Sequence, residues 1–135
     1  MKYLKIIFSF LIIVLLHTNV SGQDSKNEIS LPLGGNAFSS LPLGESNTIT
    51  DNGIENWTNP EEQFTVYFKV SKPGLVKIAL NEAITIQGKS VLEFGINNTF
   101  KKIKFSENQK TPLVIGEWKI KDTGYVALKI KAISK

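Results

Sequence analysis

The chain of 135 residues has no cysteine and no arginine, and its single histidine and single methionine are His17 and Met1. Each absence removes a kind of chemistry. Thiolate and neutral imidazole are the usual ligands of zinc and copper, so no transition-metal site is expected in a domain that lies beyond residue 17. Ser-His-Asp and Cys-His catalysis need an imidazole base, and that region offers none. Bidentate guanidinium recognition of phosphate is excluded as well. Small exported domains usually lean on disulfides, so a cysteine-free one must be held by its core alone. Sustained helical periodicity with caps is also missing, and helices are not expected to build the fold.

What is present begins with MKYLKIIFSFLIIVLLHTNVSG, which has the three parts of a secretory signal. Lys2 and Lys5 form a short positive start, and the apolar run over residues 6–16 is too short to span a bilayer. Val20 and Gly22 are small residues placed for cleavage after Gly22. The expected organisation is a signal peptide over 1–22, a flexible lead-in over 23–30 and one domain over 31–135, with no transmembrane segment after cleavage. The expected location is secreted, periplasmic or cell-surface.

Charge is unevenly spread. Residues 23–98 carry five Lys and nine acids, whereas residues 99–135 carry nine Lys and three acids. A lysine-rich final third suits an acidic polysaccharide or a membrane surface, or simply a solvated set of outward strand positions. Nucleic acid is not expected of an exported, arginine-free domain without a known motif.

Leu31-Pro32-Leu33-Gly34 recurs as Leu41-Pro42-Leu43-Gly44, which reads as two short extended pieces ended by turns. Residues 46–62 read as a short strand and a long polar loop. From residue 63 the pattern alternates with period two. Phe64, Val66, Phe68 and Val70 share one face of QFTVYFKV, and Val76, Ile78 and Leu80 share one face of LVKIAL. Leu92, Phe94 and Ile96 follow, then an Asn97-Asn98 turn, then Ile103 and Phe105 with Lys102 and Lys104 opposite. Val114, Trp118 and Ile120 are expected on one face of LVIGEWKI, and Val126, Leu128 and Ile130 alternate with Lys129 and Lys131. Seven to nine short strands at this spacing predict an all-β, two-sheet antiparallel sandwich, jelly-roll in type, with an immunoglobulin-like topology as the alternative.

The strings GGNAF, GIENW, KPGLVKIAL, GKSVLEF, IGEWKI and DTGYVALKI, in that order, resemble an uncharacterised domain family of secreted bacterial proteins. The resemblance covers residues 31–133. It implies a jelly-roll sandwich like that of carbohydrate-binding modules, and brings no established activity or ligand. Family members often place this domain ahead of a second uncharacterised one, which this sequence does not show.

Trp57 stands in the polar loop DNGIENWTNPEE, where a flat ring suits the C–H face of a sugar. Asp51, Asn52, Glu55, Asn56 and Asn59 are placed to hydrogen-bond hydroxyls, and Tyr67, outward on its strand, offers a second ring. The competing structural reading makes Trp57 a plug over one end of the core. Trp118 is expected in the core. Tyr125 is expected to tuck against nearby backbone at a corner.

Glu61 and Glu62 are adjacent on the chain and point to opposite sides, a poor start for a paired-carboxylate site. No cofactor is expected. Structural calcium is the remaining metal option, with Asp51, Asn52, Glu55, Glu61 and Glu62 as oxygen donors, but they lack the spacing of a calcium loop. The resulting expectation is a non-enzymatic domain that recognises a polysaccharide or glycan. The alternatives are an envelope structural or protein-interaction domain and, third, a glycoside-active enzyme.

Overall fold

The computed structural model describes residues 12–17, 27–42, 44–46, 48–51, 53–81, 89–106 and 111–134. The strands are β1 (Ile12–His17), β2 (Asn27–Leu31), β3 (Ala37–Ser39), β4 (Ile49–Thr50), β5 (Gly53–Ile54), β6 (Gln63–Val70), β7 (Gly74–Leu80), β8 (Ser90–Ile96), β9 (Thr99–Phe105), β10 (Leu113–Ile120) and β11 (Gly124–Ser134). One helical turn, α1 (Leu33–Asn36), separates β2 from β3.

Alternation decides which side chains meet. Phe64, Val66, Phe68 and Val70 of β6 are buried, as are Val126, Leu128 and Ile130 of β11 and Leu92, Phe94 and Ile96 of β8. These strands form the sheet β3-β6-β11-β8-β9. Facing them are Val76, Ile78 and Leu80 of β7 and Trp118 and Ile120 of β10, from the sheet β10-β7-β1-β2. Together these residues form one apolar core between two antiparallel sheets. The chain passes from one sheet to the other between β6 and β7, β7 and β8, β9 and β10, and β10 and β11. That repeated crossing gives the sandwich its jelly-roll strand order, whereas an immunoglobulin-like order keeps more neighbours in one sheet.

Ile12–His17, within the segment read as a leader, pairs antiparallel with β7 on one side and with β2 on the other. Its register sets Ile12 against Leu31 and against Leu80.

Two local details differ from expectation. In β10 the ladder to β7 slips between Val114 and Gly116. A bulge of one extra residue reverses the alternation. Ile115 therefore enters the core, and Val114, expected inside, is exposed. The first Leu-Pro-Leu-Gly copy is not simply extended: Leu33 begins α1 and is buried. Gly34 lies so close to β4 that a Cβ there would sit 2.5 Å from the Thr50 carbonyl oxygen. Leu43 of the second copy lies outside the described residues. The Asn97-Asn98 turn is as expected, with positive φ at both residues, joining β8 to β9 through a two-residue loop.

Candidate functional site

The loop thought to carry the site folds inward. Trp57 is only 8% exposed, its ring stands edge-to-face on Phe64 with centroids 4.9 Å apart, and its Nε1–H donates to the Asn59 carbonyl at 2.7 Å. An indole so placed is a core plug and is not a platform for a ligand. Its polar neighbours hold the loop: Asn59 Oδ1 accepts from the Glu61 amide, and Thr50 Oγ1 donates to Glu55. Asn56 is exposed in a left-handed conformation and Asp51 is exposed, while Asn52 lies outside the described residues.

Glu62 is also turned in. Its carboxylate is buried and accepts hydrogen bonds from the hydroxyls of Ser39 at 2.6 Å, Thr48 at 2.9 Å and Ser46. Burial alone pushes its pKa up, but the three donors outweigh that and hold it below 4.5. This knot ties β3 and the loop before β4 to the start of β6. Glu61, beside it, is exposed, so the two carboxylates do not share a site.

Tyr67 belongs to a different surface, the outer face of the five-stranded sheet. Because Phe64, Val66 and Phe68 point inward, Gln63, Thr65, Tyr67 and Lys69 point out. The same alternation turns out Ala127, Lys129 and Lys131 of β11, Glu93 and Gly95 of β8, and Phe100, Lys102 and Lys104 of β9. Register then aligns a row across all five strands: Phe38, Thr65, Lys129, Gly95 and Phe100.

The rings sit at the two ends of this row. Phe38 and Tyr67 form an edge-to-face pair with centroids 5.6 Å apart. Phe100 lies over Gly95, where a Cβ would come within 2.5 Å of its ring, and is still 52% exposed. On this face two hollows share Gly95, Phe100 and Lys129: one is completed by Ala127 and the Asn97-Asn98 turn, the other by Gln63, Glu93 and Lys131. The small side chain of Ala127 leaves room in the first hollow, while the space over Gly95 is taken by the Phe100 ring.

Glu93 braces the second hollow. It is largely buried, with Lys131 Nζ at 2.8 Å and Lys102 Nζ at 3.9 Å. Lys131 Nζ also stands 5.9 Å from the Phe100 ring centroid, within cation–π reach. Tyr125 opens β11 with its ring outward and 78% exposed, and is not tucked at a corner as expected.

Of the expected ligand residues, only Tyr67 is on this face. Phe38, Phe100, Lys129 and Lys131 were not singled out. A signal did exist: an isolated Gly inside a strand, as in SVLEFGI, marks a close approach by another group.

Sheet order and surface define an all-β sandwich domain with an open face that is both aromatic and cationic. Residues 31–135 match the family described as Domain of unknown function (DUF5077), and the chain belongs to that family. No curated protein matches the sequence. Among the described residues no helix is long and apolar enough to cross a membrane.

Proposed function

We propose that this is an exported, non-catalytic glycan-binding domain of a bacterium, and that its contact surface is the open face of the five-stranded sheet. The observation that carries the reading is Phe100 laid over Gly95 with half its surface free, on the same register row as Phe38 of the Phe38–Tyr67 pair. A ring held by the sheet is ready for the C–H face of a sugar and loses little side-chain freedom on binding. Lys129, Gln63 and the Asn97-Asn98 turn line the hollows beside Phe100 as hydroxyl partners. The leader-like segment over residues 1–22 supports export. The ligand class is supported by the resemblance of the sequence to a family, which implies a fold like that of carbohydrate-binding modules.

Calorimetry against a panel of soluble polysaccharides tests this. Phe100→Ala and Tyr67→Ala should each weaken binding about tenfold, equivalent to the loss of one stacked ring. Binding untouched by both changes would remove the sheet face from consideration.

A further inference from the structure

We infer that the glycan bound on this face is anionic, a polysaccharide whose sugars carry carboxylates. The inference rests on the glycan reading above and names its ligand class.

Lysines are not evenly shared between the two outer faces. The five-stranded sheet turns out Lys69, Lys102, Lys104, Lys129 and Lys131 against a single acid, Glu93. On the other sheet, Lys77 of β7 shares its register row with Glu117 of β10 and, across β1, with Glu28 of β2, so Lys77 and Lys119 are matched by two acids. The positive potential is therefore concentrated on the face that also bears the rings.

Glu93 offsets one of these five charges and leaves an excess of four. Its carboxylate is already shared by two ammonium groups, and its side chain is only 10% exposed. It works as an internal strut, fixing Lys131 beside Phe100. Lys129 is exposed at the centre of the row, flanked by Thr65 and Gly95. A chain crossing from Phe38 to Phe100 would span four strand intervals, about 19 Å. Its sugars would meet rings at both ends and ammonium groups along the middle and one side. Stacking recognises the sugar ring and the lysines recognise its carboxylate, so an acidic sugar uses both features.

An anionic bilayer is the other candidate for a basic face. It is disfavoured because Phe100 lies down over Gly95 and does not project as an inserting wedge.

The test uses the full chain and three probes: polygalacturonate, its fully methyl-esterified form and phosphatidylglycerol vesicles. Expected are binding to polygalacturonate, a loss of about tenfold or more on esterification, and a similar loss in about 0.5 M salt. Lys129→Gln and Phe100→Ala should each weaken it, with unchanged melting temperature for Lys129→Gln. Equal affinity for the esterified form would overturn the charge inference and leave the glycan reading standing. No binding to either form, nor to any neutral polysaccharide, would end both. Vesicles bound in preference to polygalacturonate, or Phe100→Ala without effect, would reduce the face to a lipid or polyelectrolyte contact and overturn the inference.

Discussion

Phe100 and Gly95 face each other directly across the β8–β9 ladder, and the ring occupies the space that any side chain at 95 would fill. Gly95→Ala therefore has to push the ring away. The ring is half-exposed, so driving it off its seat over Gly95 should change stability by less than about 1 kcal/mol. Ligand affinity should fall about as much as in Phe100→Ala. Thermal melting and calorimetry on the same variant separate the two effects, and a variant that binds normally would show that ring placement is unimportant.

Trp57 should behave as a core residue. Trp57→Ala is expected to cost about 3–5 kcal/mol, because it removes a buried ring packed on Phe64. Trp57→Phe keeps part of that packing but leaves the Asn59 carbonyl without its indole donor, a smaller loss of about 1 kcal/mol. Urea titrations give both values. Glycan affinity of Trp57→Phe should match the parent.

Glu62 makes stability fall in acid. Its pKa is lowered in the folded state, so the unfolded chain takes up the proton first as pH drops. Its stabilising contribution is complete well above pH 4.5 and is lost as pH falls through the folded-state pKa. Glu62→Gln should flatten that part of the profile, and should cost about 1–3 kcal/mol at neutral pH by leaving hydroxyl donors poorly matched. Denaturation measured from pH 7 to pH 3 reads both. An unchanged acid limb in the variant would assign the loss to other carboxylates.

Gly34 meets backbone, not a movable side chain. Gly34→Ala would set its methyl against the Thr50 carbonyl oxygen and the Asp51 backbone, and neither can swing aside. A loss of about 1–3 kcal/mol is expected from this overpacking. A shift in the urea midpoint at constant slope is the readout.

How far the sequence reveals this molecule depends on the range over which each feature is encoded. Alternation within QFTVYFKV or YVALKIKAI is local, and it placed Phe64 to Val70 and Val126 to Ile130 in the core. The bulge in β10 is also local, but one extra residue is invisible to a count of alternate positions, so Val114 and Ile115 exchanged sides. The loop around Trp57 looked like a site because its neighbours are polar. Some of that polarity serves the loop itself, as where the Asn59 side chain accepts from the Glu61 amide and Thr50 donates to Glu55, a role that composition does not distinguish from ligand binding. The ring-bearing row needed more still. Phe38 and Phe100 become ends of one surface only when β11 lies between β6 and β8, a fact of topology. The same holds for the lysines, whose grouping on one face depends on which strands are neighbours.

The place of β1 has a consequence for maturation. Since β1 runs antiparallel to both β2 and β7, those two strands run parallel to each other. A peptidase cutting after Gly22 would take away the strand between them and leave a gap one strand wide. Should β2 slide across by about 4.8 Å to close it, the sandwich would acquire a parallel ladder, whose pairing is slightly weaker per residue. An incoming segment of opposite direction would restore the original geometry. Processing would thus alter the sheet's rim as well as shorten the polypeptide.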